Sequence, residues 1–191
     1  MEKENFFKLF NLFSKKDVQN KKVKILDFKI KKYEENPLYW WKLPICEMKF
    51  IGKDGHEYIC YNEFDINYMS LTIYIVEKSK KNFLYGYSTE VTNKSMNFLL
   101  DRVEVEGQFR HLGLGYALTE MMFKILSEMA NINNISIKRI HGAIGTNCND
   151  DPEASMKLYK CFDGRKFNNS NIELNKNGFN TTECNLEYFI N

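Results

Sequence analysis

Histidine and proline are scarce in this chain, with three of each among 191 residues. His56, His111 and His141 lie far apart in sequence and give no metal-ligand spacing. The five cysteines (Cys46, Cys60, Cys148, Cys161 and Cys184) are odd in number and include no Cys-x-x-Cys pair. That argues against a zinc site and suits a reducing cytosol. Charge of one sign is also missing: 27 Lys and Arg stand against 25 Asp and Glu, a net charge of +2. No nucleic-acid partner is therefore expected. No apolar run is long enough to span a membrane. The N-terminal apolar stretch is broken by Lys8, Asn11, Lys15 and Lys16, so no signal peptide is evident. These absences point to a cytoplasmic protein. The length suffices to bury a full core without staples. The expected organisation is an amphipathic helix or tail over residues 1–20 and one domain over 21–191, with no internal repeat and no flexible linker.

The most informative stretch runs from Val103 to Met122. Val103 and Val105 alternate with Glu104 and Glu106, as in a half-buried strand. Arg110-His111-Leu112-Gly113-Leu114-Gly115 follows, with Tyr116 after it. Then Leu114, Ala117, Leu118, Met121, Met122, Ile125, Leu126 and Met129 keep helical spacing. A glycine-bearing turn into a helix is an anion site, because the first amides of a helix lack partners and the helix dipole is positive there. Glycine allows the backbone to close around the ligand. A P-loop would need Lys-Ser/Thr after its last glycine, and none follows Gly115. A dinucleotide fingerprint would need a third glycine where Leu118 stands.

What remains, Arg-x-x-Gly-x-Gly between strand and helix, resembles the coenzyme A pyrophosphate loop of the GNAT superfamily of N-acetyltransferases. A second motif supports the resemblance. After a strand over Ile135–Ile144, Asp150-Asp151-Pro152-Glu153 provides helix-start signals. The helix that follows carries Ala154…Leu158-Tyr159, similar to the family's Ala-x-x-Leu-Tyr, and halts at Asp163-Gly164. The resemblance covers about the last half of the chain, with a cofactor core at about 96–167. It departs from the family at Gly107, at His111 and at Gly164-Arg165-Lys166-Phe167.

The resemblance implies an α+β fold: a mixed, mostly antiparallel central sheet with splayed strands flanked by helices. It implies acetyl-CoA as cosubstrate, no metal, and transfer of an acetyl group to a primary amine in a ternary complex. The acceptor is left open between a small molecule and a protein, and a homodimer is compatible. Val103 and Val105 would offer backbone groups to the pantetheine amides. Arg110, His111, Leu112, Gly113, Leu114, Gly115 and Tyr116 would hold the pyrophosphate. Tyr159 would protonate the leaving sulfur. For the base, alternation puts Asp101 on the face of Val103 and Val105, while a bulge would exchange the faces and favour Glu104. His141 is a third choice. The alternative is a non-catalytic acyl-CoA-binding or interaction module of the same fold.

The first half reads as β-rich. Val23–Ile30 alternates; Ile45–Ile51 and His56–Tyr61 flank the hairpin signal Gly52-Lys53-Asp54-Gly55; Leu71–Val76 and Phe83–Tyr87 flank a turn at Lys78–Lys81. The two helices that the family places after its first strand have no clear counterpart. Pro37–Pro44, with Tyr39-Trp40-Trp41, reads as a loop whose rings pack internally or stack on an acceptor. Phe6, Phe7, Phe10 and Phe13 suit a helix packed on its own domain or on a partner, or an interfacial anchor.

Overall fold

Period-two alternation drives the first half of the chain into six consecutive strands. In the computed structural model, which describes residues 22–75, 82–144, 158, 166–167, 170–175, 179–180 and 183–190, these are β1 (Lys24–Asn36), β2 (Trp41–Ile51), β3 (Glu57–Asp65), β4 (Ser70–Ile75), β5 (Phe83–Thr89) and β6 (Ser95–Glu104). Each pairs antiparallel with the next. A short 3-10 turn at Gly107–Phe109 leads to helix α1 (Leu114–Asn133), then to β7 (Ser136–Ile144). β7 returns beside β6 in parallel, as the intervening helix permits. Four further strands, β8 (Lys166–Phe167), β9 (Ser170–Asn175), β10 (Phe179–Asn180) and β11 (Glu183–Ile190), extend the sheet beyond β7. The expected class is the one found: a mixed, mostly antiparallel sheet with a β-rich N-terminal half.

The sheet curls around α1. The helix buries Leu114, Ala117, Leu118, Met121, Met122, Ile125, Leu126 and Met129, the spacing read from the sequence. Facing them are Met48 and Phe50 of β2, Leu71 and Ile73 of β4, Leu84 of β5, and Met96, Phe98 and Leu100 of β6, all in one core. Each fully buried side chain of this size is worth roughly 1.5–3 kcal/mol. β2 packs closely along the helix. At the helix C-terminus, the Lys42 amide donates to Asn133 Oδ1 at 2.6 Å, and Asn133 Nδ2 donates to the Lys42 carbonyl at 2.8 Å. At the other end, the Lys53 amide donates to the Leu112 carbonyl at 2.9 Å. Asn134, at φ 51°, closes the helix in the left-handed region.

The reading of Pro37–Pro44 as loop needs correction. Only Pro37–Trp40 is a turn; Trp41–Pro44 opens β2, and Trp41 is core. Proline cannot donate to a ladder, but Asn62 makes the site workable. Its Nδ2 donates to the Pro44 carbonyl at 3.1 Å, and its Oδ1 accepts from the Cys46 amide at 2.7 Å. Residues 1–21, which hold the phenylalanines, and most of the stretch expected to carry the second helix lie outside the described residues. The turn at Lys78–Lys81 also lies outside them.

Candidate functional site

The site begins where β6 changes its pairing. On one side, β6 pairs with β5 as far as Glu104↔Phe83. On the other, its parallel ladder with β7 stops at Leu100↔Gly142, although β6 runs to Glu104 and β7 to Ile144. The edge of β6 from Asp101 onward is therefore unpaired toward β7, and the strands separate. The cause lies in the β5 register: Gly86 faces Leu100 and Tyr85 faces Arg102, leaving Asp101 as an extra residue, a β-bulge. Gly86 makes the bulge possible. A Cβ there would stand 2.6 Å from the Leu99 carbonyl oxygen and 2.6 Å from the Phe98 ring.

The bulge breaks the simple alternation on which Asp101 was grouped with Val103 and Val105. Buried positions run Met96, Phe98, Leu100 before it, and Val103 faces core Leu84 after it. Arg102 and Glu104 then share the other face with their partners Tyr85 and Phe83. Asp101 and Glu104 are both exposed. His141 sits in the backbone ladder opposite Leu99. Strand exit is fixed by Asn82, a buried side chain absent from the sequence reading. Its Oδ1 accepts from the Glu106 amide at 2.8 Å.

Beyond the strand, His111 at φ 67° and Gly113 at φ 87° both adopt the left-handed region, turning the chain sharply into α1. Gly113 is the N-cap, with no side-chain cap and no acid in the first turn. Helix starts usually carry both. Among the described residues, no group accepts from the amides of His111, Gly113, Leu114 or Gly115. Successive backbone amides of this kind form an anion-binding nest. Thr119 Oγ1 donates to the Gly115 carbonyl at 2.9 Å and steadies the first turn without using those amides. Arg110 is exposed, and its Nε donates to the Val105 carbonyl at 3.3 Å. This holds the guanidinium between the strand end and the loop.

The two loop glycines differ. A Cβ on Gly113 would lie 2.1 Å from Val23 Cγ2. A Cβ on Gly115 would make ordinary contacts, 3.5 Å from Leu158 Cδ2, 3.7 Å from Val103 Cγ1 and 3.9 Å from Val105 Cγ2. Leu158, the first half of the Leu-Tyr pair, thus sits against the loop and the strand end. Tyr159 lies outside the described residues.

Two cysteines are inert. Burial pushes the Cys46 thiol up to about 12 and raises that of Cys60 further still, so neither provides a thiolate at neutral pH. Among the described residues no three His, Cys, Asp or Glu side chains converge as a metal site requires, and no helix is long and apolar enough to cross a membrane.

No family model and no curated protein matches this sequence. Among solved structures, the chain is similar to a protein of the NatC complex bound to Gag peptide and CoA, at 14% identity and TM-score 0.40, covering 62% of this chain and 69% of that one. It is also similar to the ribosomal-protein-S18-alanine N-acetyltransferase of Escherichia coli, at 15% identity and TM-score 0.38, covering 64% and 68%. Ard1 from Thermoplasma volcanium matches at 15% identity and TM-score 0.34, covering 63% and 68%. Likenesses of this size leave the function to be argued from the site itself.

Proposed function

We propose that this chain is an N-acetyltransferase that binds acetyl-CoA between the end of β6 and the start of α1. The observation that carries the reading is the pairing of an uncapped helix start at Gly113 with a strand edge that opens at Asp101. The first suits a pyrophosphate. The second offers free backbone groups to an extended amide-bearing chain, in the manner of strand addition. The fit is testable on the glycine: a side chain at Gly113 would need the space that Val23 fills.

The amides of His111, Gly113, Leu114 and Gly115 would hold the pyrophosphate, with Leu112 between them in the loop, Arg110 beside them and Tyr116 in the first turn. Val103 and Val105 would pair with the pantetheine arm. Acetyl-CoA, when bound, supplies an acyl group activated as a thioester. The protein's share is positioning and proton movement. Asp101 or Glu104 would take a proton from the acceptor ammonium through a carboxylate oxygen. Both are exposed beyond the point where β6 leaves β7, and the bulge at Asp101, by exchanging the faces of the strand, favours Glu104. Tyr159, next in sequence to a residue that packs on the loop, would give its Oη proton to the departing sulfur. Transfer would be direct, through a ternary complex; of the cysteines whose side chains are described, Cys46 and Cys60 are too deeply buried to act as acyl carriers. The acceptor would be a primary amine, with peptide N-termini and small amines both to be tested.

Two measurements on the full chain test this reading. Acetyl-CoA should raise the melting temperature in proportion to the logarithm of its concentration. Free thiol should appear when peptides and small amines are added. Stabilisation without thiol release from any amine would favour the non-catalytic binding module. No stabilisation would remove the reading.

A further inference from the structure

The turn of the β2–β3 hairpin also reaches this loop, and nothing in the motif anticipates it. The turn Gly52-Lys53-Asp54-Gly55 is braced internally. Asp54 accepts from Tyr58 Oη at 2.6 Å through Oδ2, and from the His56 amide at 3.1 Å through Oδ1. It is latched to the loop by the 2.9 Å bond from the Lys53 amide to the Leu112 carbonyl. The side chain of Lys53 follows the same path: its Cγ is 3.7 Å from where a Cβ on Gly113 would stand. Lys53 is half-buried and makes no ion pair with any described residue. The neighbouring Asp54 carboxylate is occupied by Tyr58 and His56 Nδ1, the latter at 3.1 Å. The Lys53 side chain thus passes beside the loop whose amides lack acceptors.

We propose that Lys53 is a further phosphate-binding residue of this site and that the β2–β3 hairpin forms its second wall. The inference rests on the coenzyme A reading above. The ammonium of a lysine is a mobile point charge with three donors, suited to a phosphate monoester or a diphosphate oxygen at the edge of a backbone nest. The loop would supply directional amides and the hairpin the charge. Its latch is a main-chain bond, so a change of side chain at Lys53 leaves the latch in place.

The test is calorimetric titration of CoA and of 3′-dephospho-CoA into the full-length protein and its Lys53→Gln and Lys53→Arg variants, at low and moderate salt. Lys53→Gln should raise the CoA dissociation constant roughly three- to tenfold, with the larger effect at low salt. Lys53→Arg should stay near wild type. A loss confined to CoA assigns Lys53 to the 3′-phosphate; an equal loss for both ligands assigns it to the pyrophosphate. Lys53→Gln binding both ligands as wild type does would overturn the proposal and leave the loop reading standing. Wild type binding neither ligand would overturn both. Unchanged circular dichroism in Lys53→Gln checks that the hairpin is intact.

Discussion

Val23 occupies the space into which any side chain on Gly113 would have to project, with its Cγ2 2.1 Å from that Cβ position. The residue just before the first strand therefore dictates glycine at the start of the helix, 90 positions later by the numbering of the two residues. The φ of 87° at Gly113 demands glycine independently. Gly113→Ala should cost about 1–3 kcal/mol for the left-handed backbone and roughly 1–3 kcal/mol more for the clash. Adding Val23→Ala should recover only the second part. Gly115→Ala, whose Cβ would make only ordinary van der Waals contacts, should change stability far less. Urea unfolding of the four proteins checks the order.

Gly86 stands in the same relation to the bulge. Alanine there would press on the Leu99 carbonyl and the Phe98 ring. Gly86→Ala should destabilise by about 1–3 kcal/mol and also disturb the pairing that ends β6's ladder with β7. The loss of acetyl-CoA affinity should exceed that of an equally destabilising change remote from the strand, such as Asn133→Ala. Matched denaturation and titration series would show this; equal affinity in the two variants would separate the bulge from the site.

Asn133 ties the helix end to β2 through both polar atoms of its amide. Asn133→Ala removes the two hydrogen bonds to Lys42 and a third to the Met129 carbonyl, and leaves the Lys42 amide and carbonyl to water, since Lys42 is exposed. The expected cost is about 1–2 kcal/mol. Hydrogen exchange should quicken in β1 and β2 more than in β6, because β2 links β1 to the helix.

Stability should fall on the alkaline side. Burial, then the Glu63 hydrogen bond, raises Tyr74 from 10.0 to about 12, and burial, then Glu128, raises Cys46 from 9.0 to about 12. Groups with raised folded values bind protons more tightly when folded. Their contribution is complete below the unfolded values and is lost as pH climbs toward the folded ones. Denaturation midpoints should therefore decline between about pH 9 and 12, over the interval these values span. Tyr74→Phe should flatten the upper part of that decline, whereas Tyr33→Phe, at a more exposed tyrosine, should alter it less.

The loop was legible because its signal is local. Gly113, the apolar spacing from Leu114 to Met129 and the valines of the preceding strand lie within one short stretch, and the helix ends at Asn134 as its asparagines imply. The first-half strands were legible for the same reason. What escaped the sequence depends on residues that meet only after folding. The bulge at Asp101 is set by Gly86 on the neighbouring strand. Beside Pro44, the Asn62 side chain bonds the Pro44 carbonyl and the Cys46 amide, a pairing that exists only once β2 and β3 meet. The Lys53 latch joins a hairpin to a loop that composition alone would leave separate. Asn82, which fixes the exit of β6, carries no motif at all. The strands over 166–190 have no clean alternation, and the sequence reading made no assignment there.

A phosphate-bearing thioester is expected to bind at the opening of α1 and along the freed edge of β6. Amide chemical shifts of isotope-labelled protein titrated with acetyl-CoA test it most directly. Saturable shifts should concentrate at His111 to Tyr116 and at Asp101 to Val105, with the Lys53 amide moving through its bond to Leu112. Saturable shifts confined to another part of the sheet, or none at millimolar ligand, would contradict it.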